Sequence, residues 1–363
     1  MENTDLGVFF ECFFVNKIMQ IENFKNIPSP NSEYEQKVVN FCKKWLSGQK
    51  EFTLKTSGST GEPKPINLTR FQMEASAKLT GKTFNLNPTN KALVCLNIEY
   101  IAGIMMLVRG MVLGLELTII EPNSNPLENL ENQKFDFAAF VPLQIQKMLK
   151  NENQIEKLNS MKAIIVGGAA VNEFLENEIQ QLEVPVYSTY GMTETVSHIA
   201  IRRLNGANRN TNFQVLEGVK IGLDERNCLN IIAEASNNEL IQTNDIVEII
   251  SDNEFQLIGR FDNIINSGGV KIQLEKVEKV FEKIIIGSRF FTFGINDLTF
   301  GQKLILVVET QNSLNENVLY EAKKSLSKYE IPKQIFTITK FLETPTGKID
   351  KKATLKTLNL QHG

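Results

Sequence analysis

Apolar and polar residues recur along this chain with two periods, and the change from one to the other divides it. Residues 32–48, SEYEQKVVNFCKKWLSG, place Val38, Val39, Cys42, Trp45 and Leu46 on one helical stripe. Ser32 with Glu35 three positions on reads as a capping box, and Gly48 closes the pattern. From residue 91 short apolar runs take over: KALVCLNI (91–98), LELTII (115–120), FDFAAFV (135–141), KAIIVGG (162–168) and VPVYSTYG (184–191). These predict buried strands. Helical patterns lie between them, mostly buried in IAGIMMLVRGMVLG (101–114) and amphipathic in NEFLENEIQQL (172–182). Such alternation predicts an α/β fold with a mainly parallel sheet covered by helices on both faces. Ligands of such sheets sit at the carboxyl ends of strands, where Gly167–Gly168 and Gly191 fall.

After about residue 210 the pattern shortens to strands and turns (FQVLEGVKIGL, CLNIIAEA, DIVEIIS, EFQLIGR), which predicts a small β-rich subdomain. GRFDNIINSGGVKIQLEKVEKVFEKI (259–284) then gives a turn, a glycine pair and an amphipathic helix. The last hundred or so residues alternate as β-α-β: SRFFTFGI, KLILVVET, the helical NENVLYEAKKSLSKY, and QIFTIT. A domain boundary is expected near Gly259–Asp262.

Composition narrows the classes. With 363 residues, 42% hydrophobic and 22% charged, the chain has room for two or three domains and a sizeable core. A net charge of −3, with lysines interleaved among glutamates, gives no reason to expect nucleic acid. The four cysteines (Cys12, Cys42, Cys95, Cys228) are widely spaced, which argues against a disulfide framework or zinc site and predicts a reducing, cytoplasmic location. The run GVFFECFFV (7–15) is short, contains Glu11 and follows no basic segment, so it predicts a buried strand and neither a signal peptide nor a membrane span. Of two histidines, His198 alone lies outside the terminal tail, and no G-x-S-x-G is present. A Ser-His-Asp hydrolase is disfavoured, and lysine, carboxylates or a bound metal–nucleotide must carry any chemistry.

Four short patterns offer that chemistry. TSGSTGEPKPINLTR (56–70) combines small residues that let a backbone approach an anion with hydroxyls and Lys64, which suits phosphate. Read alone it is equally an ordinary Ser/Gly turn, and it is not a P-loop, since Lys64 stands between Pro63 and Pro65. STYGMTET (188–195) supplies a ring, a tight turn, a hydroxyl and a carboxylate at Tyr190, Gly191, Thr193 and Glu194, parts that suit a nucleotide with Mg²⁺, although a β-turn with a solvated glutamate is the plainer reading of the motif alone. Asp245 in QTNDIV and Arg260 in GRFDN could take ribose hydroxyls, although a strand-end aspartate and a surface arginine are the plainer reading. Lys348 stands behind Pro-Thr-Gly in PTGKIDKK (345–352), at a loop tip or simply in a basic tail.

Taken together and in this order, TSGSTGEPK, YGMTE, T-x-D, GRFDNIINSGG and PTGK, with KYEIPKQI (328–335), resemble the motif series of the adenylate-forming acyl-CoA synthetase superfamily of AMP-binding enzymes. The resemblance runs from about residue 52 to residue 352. Within it, YIAGIMMLVRGMVLGLEL (100–117), MTETVSHIAIRRLN (192–205) and the compact length are most similar to the o-succinylbenzoate–CoA ligases of menaquinone biosynthesis, in a short form. The chain departs from the wider family in having about fifty residues before the glycine loop, Tyr100 where a histidine often stands, and Asn244 before the aspartate.

The resemblance implies an acyl-CoA synthetase-like fold. An N-terminal AMP- and acid-binding domain (1–261) would be followed by a smaller, mobile α+β domain (262–363) carrying the catalytic lysine. It implies an acid–thiol ligase using ATP, Mg²⁺ and CoA as co-substrate, with an acyl-adenylate formed first and a CoA thioester second. Thr56, Ser57, Gly58, Ser59, Thr60, Gly61 and Lys64 would serve the pyrophosphate side, and Gly167, Gly168 and Ala169 would border the adenine and the acid. Tyr190, with Gly191 and Met192, would hold the base, Thr193 the α-phosphate, Glu194 the Mg²⁺, and Asp245 and Arg260 the ribose. Lys348 would bridge the acid and the α-phosphate in adenylation, and Asp262 would be the hinge. Arg109, Ser197 and His198 are candidates for the acid pocket, with a snorkelling arginine and a core histidine as the plainer readings of the first and last. Expected partners are a small-molecule acid, ATP and CoA; a homo-oligomer is left open. Another acyl- or aryl-CoA ligase, a stand-alone adenylation enzyme or a non-catalytic nucleotide-binding relative remain as alternatives.

Overall fold

The computed structural model describes residues 18–55, 65–130, 133–311, 317–344 and 348–360. Its strands form a twelve-stranded sheet, a five-stranded sheet and a two-stranded ribbon. The expected strand at 7–15 and the glycine-loop residues Thr56, Ser57, Gly58, Ser59, Thr60, Gly61 and Lys64 lie outside the described residues. The strands on either side of that loop, Glu51–Lys55 and Pro65–Thr69, pair antiparallel to the last register of Lys55 against Pro65.

The apolar runs are strands, shorter by a few residues than the runs themselves: Lys91–Val94, Glu116–Ile119, Phe137–Phe140, Ala163–Val166 and Val186–Gly191. They form the parallel core of the large sheet. Side-chain alternation sorts them between two hydrophobic layers. Phe137, Ala139, Ala163 and Ile165 join one layer with helix Ile101–Leu113, and Ala138, Phe140, Ile164 and Val166 join the other with Ile145, Leu158 and Leu175. Burial on both faces explains why these strands read as continuous apolar runs.

The parallel order ends at Val186–Gly191. The next strand, His198–Arg203, turns back antiparallel beside it. The segments expected to make a separate β-rich unit do pack around their own core of Phe213, Leu229, Ile231, Val247 and Phe255. They also continue the same sheet by hydrogen bonding through Phe213–Val215 and Glu254–Arg260. Local pattern gave the strands; only pairing partners could show that they extend an existing edge.

Helix Glu33–Leu46 begins at Ser32, whose hydroxyl accepts from the Glu35 N–H at 3.2 Å. The box is half made, because the Glu35 carboxylate accepts from the Asn31 N–H at 2.6 Å instead of from Ser32. After Arg260 the chain makes a short turn, Phe261–Asn263, and enters the five-stranded sheet at Ile264. Gly268 and Gly269, both with positive φ, join the hairpin Ile264–Ser267 and Val270–Gln273 ahead of helix Leu274–Glu282. The β-α-β reading holds as the parallel pair Gly301–Glu309 and Gln334–Ile338. Among the described residues the helix between them is regular over Asn317–Ala322 and then tightens into turns that bury Leu326 and Ile331. No described helix is long and apolar enough to cross a membrane.

Candidate active site

The reversal from parallel to antiparallel strands creates the site. A cavity of about 1640 Å³ opens at the carboxyl ends of Ala163–Val166 and Val186–Gly191 and extends to the five-stranded part. Its lining includes Gly167, Gly168, Ala169, Tyr190, Gly191, Met192, Thr193, Ser197, His198, Arg109, Asp245 and Lys348. Residues far apart in sequence thus share one space. A Cβ at Gly191 would stand 2.2 Å from the Ser197 carbonyl oxygen, so glycine is what allows the two strands to close there.

The turn between those strands is under strain. Val196 takes φ 66° and ψ −55°, and the Ser197 N–H donates back to the Thr195 carbonyl at 2.7 Å. This is a γ-turn of the unfavoured hand on a β-branched residue, a conformation that costs on the order of 1–3 kcal/mol. The buried Val196 side chain holds it in place, and the turn aims Ser197 into the cavity wall. Nothing in VSH (196–198) advertised this, since valine is disfavoured at positive φ.

Opposite stands Arg109 on helix Ile101–Leu113, only 1% exposed. Its Nη2 donates to Ser197 Oγ at 2.8 Å and its Nε to Thr80 Oγ1 at 3.2 Å. Among the described residues no carboxylate pairs with it. Burial lowers its pKa to about 10, which leaves the guanidinium charged at neutral pH. Ser197 Oγ lies 3.3 Å from His198 Nδ1, and His198 Nε2 has no hydrogen-bond partner among the described residues. Burial, and then the charge of Arg109, push the His198 pKa down to about 3, so the imidazole is neutral. Arg109, Ser197 and His198 are therefore joined in one buried chain. Thr80, which fixes the guanidinium, escaped the sequence reading because only helix packing brings it there.

A second group lies across the cavity. The Tyr190 hydroxyl donates to Asp245 Oδ2 at 2.6 Å, and the ring packs against Phe213 and Phe255 at centroid distances of 5.7 and 5.2 Å. Burial, then the Asp245 charge, raise the pKa of the phenol. Arg260 Nη1 donates to Asp245 Oδ1 at 3.2 Å, while its Nε and Nη2 each reach Asp262 at 2.8 Å. Asp245 and Asp262 thus share one guanidinium, and that pairing holds the Asp262 carboxyl below its ordinary range. Asn244, which precedes the aspartate, faces away and accepts from Arg226 Nη1 at 2.9 Å.

Lys348 lines the same cavity from the five-stranded part. Its N–H donates to Thr344 Oγ1 at 3.2 Å, and its carbonyl accepts from the Thr344 N–H at 2.8 Å, which pins the backbone on both sides. Burial, and then Arg260, lower the pKa of its amine. Glu194 differs from the rest: it is exposed on the short turn Thr193–Thr195 and does not line the cavity. No group of three or more His, Cys, Asp or Glu that could hold a metal occurs among the described residues. A hard cation here would take at most one carboxylate, that of Glu194, from the chain and its other oxygens from a bound phosphate.

One cavity at the end of a parallel sheet is thus lined by Lys348, by the Tyr190–Asp245 pair and by the glycine turn after Val166, and comparison with known proteins places the chain in a class. The AMP-binding enzyme family matches residues 52–221. Over 94% of this chain and 99% of the other, the structure of an acyl-CoA synthetase (AMP-forming)/AMP-acid ligase II-like protein from Dyadobacter fermentans matches at 46% sequence identity and a TM-score of 0.65. The chain belongs to the AMP-binding enzyme family, in its acyl-CoA synthetase branch. The 2-succinylbenzoate–CoA ligase of Staphylococcus epidermidis is 27% identical over 336 residues, spanning 85% of this chain and 70% of the relative. O-succinylbenzoate coenzyme A synthetase (MenE) from Bacillus subtilis, in complex with ATP and magnesium ion, matches at 19% identity over 83% of this chain and 69% of the other, with a TM-score of 0.70, a likeness of fold.

Proposed function

We propose that this enzyme is an ATP-dependent acid–CoA ligase and that its acid is 2-succinylbenzoate, for menaquinone biosynthesis. In the first half-reaction the acid's carboxylate attacks the α-phosphorus of ATP, the bond to the β-phosphate breaks, and pyrophosphate leaves. In the second, the sulfur of CoA adds to the acyl carbon and AMP leaves with the bonding electrons. The observation that carries the reading is the meeting of Lys348 with Gly167–Ala169, Thr193, Tyr190 and Asp245 around one cavity.

No covalent enzyme intermediate is required, so catalysis rests on in-line positioning and charge stabilisation at phosphorus. Lys348 sits between the acid and the α-phosphate, and its lowered pKa reflects the desolvation that strengthens its field there. Thr193 donates to the α-phosphate, Gly191 and Met192 form the floor, and Tyr190 bounds the adenine. Asp245 takes the ribose hydroxyls, with Arg260 beside it. Glu194 would hold Mg²⁺, which neutralises phosphate charge when bound. Thr56, Ser57, Gly58, Ser59, Thr60, Gly61 and Lys64 serve the pyrophosphate. The two parts, 1–261 and 262–363, act as domains that turn about Asp262 between half-reactions.

The choice of acid is supported by Arg109. A buried guanidinium with no carboxylate partner among the described residues, donating through Nη2 to Ser197 on the cavity wall, favours an acid with a second anionic group. In 2-succinylbenzoate the side-chain carboxylate is activated and the ring carboxylate remains for Arg109, Ser197 and His198. The protein with ATP, Mg²⁺ and CoA should convert 2-succinylbenzoate to its thioester, detected by mass, well ahead of benzoate or a fatty acid. Equal rates for all three would overturn the choice of acid, and no thioester from any acid would overturn the ligase reading.

A further inference from the structure

At the junction of the two sheets, side chains from the five-stranded part grip the main chain. Arg260 ends the last strand of the twelve-stranded sheet to be reached along the chain, Glu254–Arg260, and Asn263 ends the turn that follows. The Arg260 N–H donates to Glu275 Oε1 at 3.2 Å, and Asn263 Nδ2 donates to the same oxygen at 2.6 Å. The Arg260 carbonyl accepts from Gln273 Nε2 at 3.0 Å, and that amide also meets Glu275 Oε2. Both polar groups of the Arg260 backbone are thus gripped by the segment that closes the hairpin and opens helix Leu274–Glu282 in the five-stranded part. Gly259 makes the room. A Cβ there would lie 2.5 Å from Gln273 Nε2 and 2.7 Å from Glu275 Oε2.

We propose that Glu275 and Gln273 are positioning residues for the first half-reaction, a latch that holds the five-stranded part in the orientation that turns Lys348 into the cavity. The proposal rests on the reading of Lys348 and Asp262 given above. Any rotation about Phe261–Asn263 carries Gln273 and Glu275 away from Arg260 and breaks the bonds to its N–H and carbonyl. The grip is therefore specific to this orientation. The Arg260 guanidinium takes no part in it, being held by Asp245 and Asp262, so the latch is separable from the ribose contacts. Hydrogen bonds to a carboxylate are the strong ones, and this carboxylate receives three N–H groups.

The test uses the full chain as wild type, Glu275→Ala, Gly259→Ala and the conservative Glu275→Gln. Gly259→Ala attacks the latch by steric displacement and leaves Glu275 in place, so agreement between the two alanine variants excludes a peculiarity of either. The first readout is the rate at which reductive methylation labels the Lys348 amine, followed by mass spectrometry. Loss of the latch should expose Lys348 and speed labelling about tenfold, with lysines on helix Glu33–Leu46 unaffected. The second is the pair of single-turnover half-reactions. Pyrophosphate release should fall about tenfold in kcat with little change in KM for ATP, while thioester formation from ready-made acyl-adenylate should hold or rise. Glu275→Gln keeps one carbonyl acceptor and should lie between wild type and the alanine variants. Unchanged labelling of Lys348, or equal loss of both half-reactions with a lowered Tm, would overturn the proposal. If wild type forms no acyl-adenylate with any acid, the functional reading fails, and labelling of Lys348 alone then decides whether the latch exists.

Discussion

Each of the two walls of the cavity has an arginine, Arg109 on one and, bonded to Asp245, Arg260 at the other, held under opposite physics. On the wall built from helix Ile101–Leu113 and the Val196 turn, Arg109 and His198 are 1% and 6% exposed, and burial lowers both pKa values. On the side that meets the five-stranded part, the Arg260 and Asp262 side chains are 38% and 39% exposed, and their mutual hydrogen bonds dominate, raising the pKa of Arg260 and lowering that of Asp262. A desolvated charge with no carboxylate partner among the described residues gains most from an anion held at a fixed position. A half-exposed pair can break and reform at small cost, because water replaces what each partner loses. The first arrangement suits recognition and the second suits movement.

The comparison can be broken first at the moving side. Lys348→Ala should lower pyrophosphate release from acid and ATP by roughly 10²–10³-fold while thioester formation from supplied acyl-adenylate persists. Unchanged pyrophosphate release would remove Lys348 from the chemistry. Asp262→Pro should trap one orientation, because proline fixes φ and removes a donor. If the adenylating orientation is trapped, single-turnover pyrophosphate release should survive while thioester formation drops by orders of magnitude. Parallel loss of both steps, beside a lowered melting curve, would show that Asp262 only shapes a turn.

At the fixed wall the expected effect is smaller and depends on pH. The unfolded chain protonates His198 near pH 6.5, whereas the folded chain resists protonation until about pH 3. Between those values protons favour the unfolded state, so stability falls as pH is lowered through that window and is unaffected by this group above it. Lowering pH from 7 to 5 should therefore cost wild type about 2 kcal/mol more than His198→Gln in urea unfolding. Equal losses in the two proteins would mean that the imidazole is solvated. The smallest effect is expected on the exposed turn Thr193–Thr195, where Glu194→Gln should raise the Mg²⁺ needed for half-maximal adenylation several-fold without altering the fold. An unshifted Mg²⁺ titration would return Glu194 to a solvated turn.

Several features of this molecule were legible before any coordinates. Short runs such as AIIV (163–166) and FAAF (137–140) are apolar at every position because both faces of their strands are covered, and that demand is written directly into the residues. The helix start at Ser32, the glycine pair at Gly268–Gly269 and the change of style after about residue 210 are likewise local consequences of backbone chemistry. Tyr190, Asp245 and Lys348 could be picked out as a motif series and are gathered around one cavity, although their spacing in sequence carries no distance. What the residues alone could not reveal were contacts made by packing. Thr80 meets Arg109 only because two helices lie side by side, and the β-rich strands join the main sheet only because His198–Arg203 offers them an edge. The strained turn at Val196 and the grip of Glu275 on Arg260 also oppose or ignore local preference. Periodicity records what each segment must bury, whereas the partner that buries it, and the charge left unpaired as a result, are set by the assembled chain.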